Sequence, residues 1–307
     1  MTPPNEDPLR GIALTVGATV LFATSDTISK YLSITLPVVE ILWIRYVIFV
    51  VMAAYLAWQA NPRPLLVRSP GMQAARGLCL VGSSVLFVFG IRQMPMAEAA
   101  AISFIAPLLI TVLSIPLLGE TVGIRRWAAV TVGMLGMLII VRPGTNAFQP
   151  AAFFGVASSL CWSMALIITR KIATTERPTT TLLWSSVVGA VVLSALLPLN
   201  FIWPSPAEFA LAFVLGILAS IGQWMVVLAH RQAPASLLAP FTYVQLLWST
   251  LGGYLVFAAL PDHWTLVGAA IIIASGLYTA HRERLRGRRA RLPKRTTPRF
   301  DGWIVVK

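Results

Sequence analysis

The chain repeats one pattern of apolar segments twice, and this duplication constrains its fold more than any other feature. Residues 22–32 read FATSDTISKYL, and residues 162–172, 140 positions later, read WSMALIITRKI. Each stretch begins with an aromatic residue and ends near a cation, Lys30 or Arg170. If each copy crosses a membrane an odd number of times, the second copy lies upside down relative to the first. Inverted repeats of this kind build two-sided carriers with a site between the halves.

The composition makes lipid the solvent for most of the chain. Of the 307 residues, 57% are hydrophobic and only 11% are charged, and the mean hydropathy is +0.78. A soluble domain of this length does not bury so much apolar surface in one core. Cys79 and Cys161 fall inside apolar segments, so we expect free thiols. The N-terminal sequence lacks the features of a signal peptide, and we expect the first helix to be retained.

Ten segments are long and apolar enough to cross a bilayer, which takes about 20 residues each. Turn-forming groups such as NPRP, RPG and WPSP separate them, and the short loops predict antiparallel neighbours. The segments are 11–31, 37–58, 75–93, 96–118, 124–142, 152–171, 180–199, 207–229, 234–258 and 264–281. The predicted fold is an all-α integral membrane protein with ten transmembrane helices in two inverted five-helix repeats.

The positions of the cations predict which side of the membrane each loop occupies. With a cytoplasmic N-terminus, 20 Lys and Arg residues lie inside, Lys30, Arg92 and Arg142 lie outside, and Arg45 lies within a span. We therefore expect both termini in the cytoplasm and the protein in the bacterial inner membrane. The net charge of +13 is then explained by topology, and no nucleic-acid partner is expected.

Four parts of the chain follow from these boundaries. They are a cytoplasmic N-terminus at 1–10, a first repeat at 11–144, a second repeat at 150–281 and a basic cytoplasmic tail at 282–307. We expect the tail to be disordered and to lie against anionic lipid by charge attraction.

Several motifs resemble the EamA family of ten-span bacterial transporters in the drug/metabolite transporter superfamily. They are ILWIRY at 41–46, the stretch from RGLCLVG to IAPLL at 76–109, LLGE at 117–120, RRWAAVTVGMLGMLIIVRPG at 125–144, and TYVQLLWSTLGGYLVF at 242–257. The resemblance implies a basket of helices around a central cavity, walled mainly by helices 1, 3, 4, 6, 8 and 9. The second copy departs from the pattern, with Leu246 in place of a proline and Ala258-Ala259 in place of Gly-Glu.

Within this family, the tryptophan-rich second half resembles YddG-type exporters of aromatic and other neutral amino acids. The resemblance implies a secondary transporter that exports such amino acids by alternating access, binds a zwitterionic substrate and needs no cofactor. A carrier of riboflavin, S-adenosylmethionine, a nucleoside or a drug, with or without proton coupling, is the alternative.

 The expected partners are thus a small-molecule substrate and the lipid bilayer, with no cofactor and no metal, and we expect a monomer.

Two ionisable residues inside predicted spans offer the sharpest evidence about a site, because a charge in hydrocarbon is costly and is paired or functional. Asp26 lies in the outer half of helix 1 and Arg45 in the outer half of helix 2. One interpretation is an ion pair that holds the two helices together. The other is that Asp26 faces the cavity and binds a substrate ammonium or a proton. Its counterpart in the second copy is Leu166, so such a role is asymmetric.

Aromatic, hydroxyl and amide side chains away from the helix ends are the other candidates for the cavity wall, since buried amides need polar partners. Two prolines inside spans and two charged residues are candidates for structural or gating roles. Glu98 also suits a capping role, because a carboxylate is stabilised at a helix N-terminus. The cavity candidates are Asp26, Ser83, Phe87, Ser103, Trp162, Ser163, Gln223, Trp224, Tyr243, Gln245 and Trp248, and the structural or gating candidates are Arg45, Glu98, Pro107 and Pro240.

Other classes of protein fit the sequence poorly. The three histidines, His230, His263 and His281, are not paired at metal-ligand spacing, and neither a Gly-x-Ser-x-Gly elbow nor a Walker motif is present. We therefore expect no enzyme activity, with an intramembrane enzyme as a remote alternative.

Overall fold

The computed structural model describes residues 8–60, 67–119, 124–142, 150–172, 175–232, 238 and 241–291. Within these residues the regular structure is helical. The α-helices are α1 (Pro8–Leu32), α2 (Val38–Ala60), α3 (Pro70–Gln93), α4 (Met96–Ser103), α5 (Ala106–Leu118), α6 (Ile124–Val141), α7 (Ala152–Ile172), α8 (Pro178–Leu196), α9 (Pro206–Gln232), α10 (Val244–Phe257) and α11 (His263–Arg291). A short 3-10 turn, Leu197–Leu199, follows α8.

The helices have the length and apolar composition of membrane spans. In the part of the chain that the structure describes, 7 helical stretches are long and apolar enough to cross a membrane, and α6, α10 and α11 contribute shorter apolar stretches. Large apolar side chains also point outward, including Val51 at 67% exposure and Leu247 at 70%. An apolar exterior of this kind suits contact with lipid tails. The architecture is that of an all-helical, multi-pass membrane protein.

The fourth predicted span, 96–118, is two helices rather than one. The chain turns at Phe104 and Ile105 between α4 and α5. Pro107 is the second residue of α5, where the missing amide hydrogen costs nothing because the first amides of a helix have no intrahelical acceptor. A similar interruption precedes α10, where Tyr243 forms a turn before Val244.

Apart from the interruption before α10, two helix boundaries differ by five residues or more from those expected from hydropathy. The third helix begins at Pro70 instead of residue 75, because a proline is well placed in the first helical turn. The last helix continues to Arg291, so the first ten residues of the expected disordered tail are helical. Arginine, leucine, glutamate and alanine are strong helix formers, which explains the extension. The remainder of the tail, 292–307, lies outside the described residues.

Helices from the two halves of the chain alternate in the packing. The first helix, α1, packs against α9 and α10, and α3 packs against α7 and α8. The pairs α2 with α8 and α6 with α11 also cross between the halves. The main apolar core lies between helices of both halves and includes Leu42, Ile91, Ile102, Ile105 and Leu193. The two halves therefore share one core and do not fold as separate bodies.

The crossing of α6 and α11 depends on glycine. A Cβ atom on Gly136 would lie 2.9 Å from the Gly268 carbonyl oxygen, and one on Gly268 would lie 2.6 Å from the Gly136 carbonyl oxygen. The absence of side chains at both positions lets the two backbones approach closely.

Candidate functional site

Asp26 is a buried carboxylate in the C-terminal third of α1. The residue is only 8% exposed, and the buried polar residues Ser25 and Thr27 flank it in α1. Gln245, the second residue of α10, donates an amide N–H from Nε2 to Asp26 Oδ2 at 3.5 Å. The contact is at the long end of the hydrogen-bond range and is weak. The carboxylate therefore lies between α1 and α10 with capacity to accept further hydrogen bonds.

Arg45 contributes charge to this site from a distance. It is half-buried in α2 and interacts electrostatically with Asp26. The direct ion pair that the sequence suggested is not formed between these two described residues; the acceptor contact of Asp26 is with Gln245 instead. The physical reason is that α1 packs against α9 and α10. This packing places Gln245 of α10 within hydrogen-bond distance of the carboxylate.

Two aromatic rings meet at the interruptions of the helices. The rings of Phe104 and Tyr243 lie 4.9 Å apart between centroids at an interplanar angle of 75°. Such edge-to-face pairs are favourable beyond the apolar area they bury. Tyr243 lies two residues before Gln245 in the chain, so the turn that precedes α10 carries the aromatic contact and the first residues of α10 carry the contact to Asp26.

The three predicted serines form hydrogen bonds within or between helices. Ser83 lies 3.1 Å from Ser158 between their Oγ atoms, which connects α3 to α7. Ser163 donates to the Ala106 carbonyl at 3.1 Å, at the start of α5, and also to its own helix. Ser103 donates to the Ala99 carbonyl at 2.9 Å. These bonds give the hydroxyl groups a packing role, and contact with a solute remains a prediction.

The structure places the other predicted wall residues in several environments. Phe87 packs against the main core, and Trp224 packs against a smaller core that includes Leu182 and Leu183. Trp162 and Gln223 are partly buried in α7 and α9. Trp248 lies about one turn after Gln245 in α10 and is 39% exposed.

Two of the structural or gating candidates, Glu98 and Pro107, lie in the first turns of α4 and α5. Glu98 lies in the first turn of α4 and interacts electrostatically with Asp262, Arg142 and Lys30. Lys30 donates from Nζ to the Met94 carbonyl at 2.6 Å and lies 5.0 Å from the centroid of the Phe257 ring. Four charges thus gather where α1 and α6 end and where α4 and α11 begin. Pro240 lies outside the described residues.

Asp262 carries two structural contacts in this charged group. Its Oδ2 lies 2.6 Å from Arg142 Nη2, and its Oδ1 accepts the Thr265 backbone amide at 2.8 Å. Burial opposes ionisation, but the hydrogen bonds from Thr265 and the charge of Arg142 outweigh it and lower the pKa of Asp262. The residue both caps α11 and joins it to α6.

Sequence reasoning missed two polar residues of α3, Gln73 and Arg76. Both are buried, at 0% and 7% exposure. Arg76 was counted as a cation at the edge of the membrane because the helix was expected to begin only at residue 75. The spacing of three residues between two strongly polar side chains was the available signal, since it places them on one face of a helix.

Metal-ligating side chains do not cluster in the described part of the chain. No group of 3 or more His, Cys, Asp or Glu residues there could hold a metal ion. Cys79 and Cys161 are free thiols and partly buried.

Comparison with known proteins relates the whole chain to transporters. An S-adenosylmethionine uptake transporter of Rickettsia felis is 29% identical over 90% of this chain and 94% of its own length. A riboflavin transporter of Vibrio cholerae is 27% identical over 92% of this chain and 97% of its own. A pseudopaline exporter of Pseudomonas aeruginosa is 24% identical over 86% and 94%.

The fold and the repeated organisation are also found in known proteins. A crystal structure of a protein 20% identical to this chain superimposes with a TM-score of 0.63, covering 90% of this chain and 98% of that one. The sequence pattern of the EamA-like transporter family matches this chain twice, over residues 9–142 and 149–279. The chain therefore belongs to the EamA-like transporter family and is a membrane transporter of the drug/metabolite superfamily built from two copies of one unit.

Proposed function

We propose that this chain is a carrier, not an enzyme, for a small metabolite that bears an α-amino-acid head group and an aromatic group, and that S-adenosylmethionine is its substrate. The observation that supports this most is the environment of Asp26. It is a buried carboxylate whose described contacts are one long amide hydrogen bond and a distant guanidinium. Ionised groups inside a membrane protein need a partner, and a cationic group of the solute supplies one.

The neighbouring aromatic rings suit the rest of such a solute. Phe104 and Tyr243 are held against each other at the helix interruptions, and Tyr243 lies two residues before Gln245 in the chain. The adenine ring of S-adenosylmethionine can pack on an aromatic side chain, while its sulfonium or ammonium group approaches Asp26. One relative with 94% of its length covered is itself named for uptake of this compound.

Export of neutral amino acids, the expectation from the sequence, is the second candidate. An aromatic amino acid offers the same ammonium and ring to Asp26 and to the aromatic pair. The relatives reported above are named for other solutes, and they include both uptake and export. We therefore propose the class of solute, and we propose that the gradient that drives transport determines its direction.

We further propose that the two repeats are inverted and that each contributes five spans. In this proposal, the helices of the two repeats correspond in pairs: α1 with α7, α2 with α8, α3 with α9, α4 and α5 together with α10, and α6 with α11. Exchange of counterparts converts the α1–α9 contact into the α7–α3 contact, and α2–α9 into α8–α3. Contacts that exchange in this way support a two-fold relation between the halves. A monomer in the bacterial inner membrane with both termini in the cytoplasm is part of the proposal.

Accumulation of labelled S-adenosylmethionine in a bacterial host without its own uptake system tests the proposal. Cells that produce the protein should accumulate the compound above cells with an empty vector. Asp26→Asn should reduce accumulation by about tenfold or more, because the amide cannot neutralise a cation. Glu208→Gln is the matched control, since this carboxylate lies in the exposed first turn of α9 and accepts hydrogen bonds from Ser205 and Thr35.

The same cells are tested with riboflavin, a nucleoside, tryptophan and phenylalanine. Movement of one of these compounds alone would replace the substrate but keep the carrier. An Asp26→Asn variant with full activity toward S-adenosylmethionine would contradict the role of the carboxylate.

A further inference from the structure

We propose that Arg76 and Gln73 form a second solute site, which binds the carboxylate of an α-amino-acid head group. This inference rests on the proposed carrier function and adds a binding station that is separate from Asp26. It concerns the α3–α7–α8 side of the molecule, near the end where α1 and α3 begin.

Arg76 is a buried guanidinium held by neutral groups. It is 7% exposed, and its Nε donates to Thr169 Oγ1 of α7 at 2.7 Å. Its Nη1 donates to the Thr181 carbonyl of α8 at 3.3 Å and also to Ser185 Oγ. These bonds orient the guanidinium, and none of their acceptors in the described part of the chain is an anion.

The missing counter-charge is the main argument for a ligand. The described hydrogen bonds of Arg76 include no carboxylate acceptor. A buried cation without an anion is costly in a protein interior, and arginine binds carboxylates in a fork geometry with parallel hydrogen bonds. No described hydrogen bond uses Nη2, so this group can donate to a bound carboxylate.

Gln73 supplies the complementary acceptor. It lies one helical turn before Arg76 on the same face and is 0% exposed. Its Nε2 donates to Thr181 Oγ1 at 3.1 Å, while its Oε1 has no hydrogen-bond partner in the described structure. Thr181 thus contacts both side chains. A cationic donor beside a free carbonyl oxygen matches the carboxylate and the ammonium of an α-amino acid.

The site is distant from Asp26. Asp26 lies 18 residues after the first residue of α1, and Arg76 lies 6 residues after the first residue of α3. Because α1 and α3 run in the same direction, this offset corresponds to roughly 18 Å along the helices. A solute bound by its amino-acid head at Arg76 therefore occupies a position on the path different from one bound at Asp26.

Equilibrium binding of a matched pair of ligands tests the inference. S-adenosylmethionine and decarboxylated S-adenosylmethionine differ by the carboxylate alone, and their affinities are measured on purified protein in phosphatidylcholine nanodiscs. The wild type should bind the carboxylated compound at least about tenfold more tightly. Arg76→Gln keeps hydrogen-bond donors but removes the charge, so the two affinities should become equal. Arg92→Gln is the control, since Arg92 is exposed at the end of the same helix.

Further arms separate the possible failures. If neither compound binds the wild type, sodium acetate is compared with sodium chloride at equal ionic strength by thermal unfolding. Stabilisation by acetate in the wild type and its loss in Arg76→Gln would support the site although the substrate was wrong. Equal behaviour of the two proteins would overturn the site.

Two other results also decide the matter. If Arg76→Gln does not fold, Arg76→Lys, which retains the charge, should keep the preference for the carboxylated compound. A preference of the same size in Arg76→Gln, or an Arg76-dependent stabilisation that appears only with phosphatidylglycerol, would contradict the inference. The latter would assign the guanidinium to a lipid headgroup.

Discussion

Asp262 shows how one side chain at the residue scale serves two helices. It caps α11 through the Thr265 amide and binds Arg142 at the end of α6. The two roles are separable, because asparagine caps a helix as well as aspartate does but carries no charge.

Two substitutions of Asp262 should therefore lower the free energy of unfolding by different amounts. Asp262→Asn should cost about 0–1 kcal/mol, since the carboxylate is 40% exposed and solvent screens the ion pair. Asp262→Ala should cost about 1 kcal/mol more, because the cap is lost as well. Thermal unfolding in detergent measures both. Equal loss in the two variants would show that the cap contributes nothing.

The pH dependence of the same pair has a defined sign. The pKa of Asp262 is lowered in the folded protein, so the ionised form stabilises the fold above the unfolded pKa of about 3.9. That stabilisation is lost as the pH falls through the folded pKa. The difference in melting temperature between wild type and Asp262→Asn should be constant from about pH 5 to pH 8 and should shrink below about pH 4. A difference that grows on acidification would contradict the ion pair.

Three residues that the sequence predicted for the cavity, Asp26, Tyr243 and Gln245, make contacts between helices in the structure. Gln245 meets Asp26, and Tyr243 packs against Phe104. Contact of these side chains with a solute stays a prediction. Hydropathy could not show that Asp26 meets Gln245 rather than Arg45. The mean hydropathy of a helix does not determine how the helix is rotated about its axis. Arg76 was missed for another reason, namely an error of five residues in the start of its helix.

At the scale of the elements, the interrupted helices and the glycine crossing determine the packing. The sequence predicted the apolar segments because their length and composition are set by the bilayer. It did not predict the turn at Phe104, since both flanking stretches are equally apolar. Pro107 was the signal for a local change, but a proline alone does not distinguish a kink from a complete break.

The glycine crossing gives a test of the packing between α6 and α11. Gly136→Ala should destabilise the protein by about 1–3 kcal/mol, because the new methyl group meets a backbone carbonyl that cannot move alone. Gly71→Ala is the control: nothing lies within 4 Å of its added Cβ. Thermal unfolding of both variants measures the difference. Unchanged stability of Gly136→Ala would show that the two helices are farther apart than described.

The proposed inverted relation between the repeats concerns the arrangement of the whole molecule. If α1 and α7 are counterparts, an inverted arrangement places the loops that follow them on opposite faces of the membrane. Ile34 is 66% exposed in the first of these loops, and Thr175 is exposed in the second.

Labelling of introduced cysteines tests this arrangement. In a protein without Cys79 and Cys161, Ile34→Cys should react with an impermeant maleimide in intact cells. Thr175→Cys should react only after the membrane is permeabilised. Reaction of both cysteines from the same side would contradict inverted repeats.

Exchange across a reconstituted membrane most directly tests a carrier that alternates around Asp26. Proteoliposomes loaded with unlabelled S-adenosylmethionine should take up the labelled compound faster than empty ones, because return of the loaded carrier speeds each cycle. Asp26→Asn should abolish this acceleration, and Glu208→Gln should retain it. Uptake that is independent of the internal compound and equal in Asp26→Asn would contradict both the carrier mechanism and the role of the buried carboxylate.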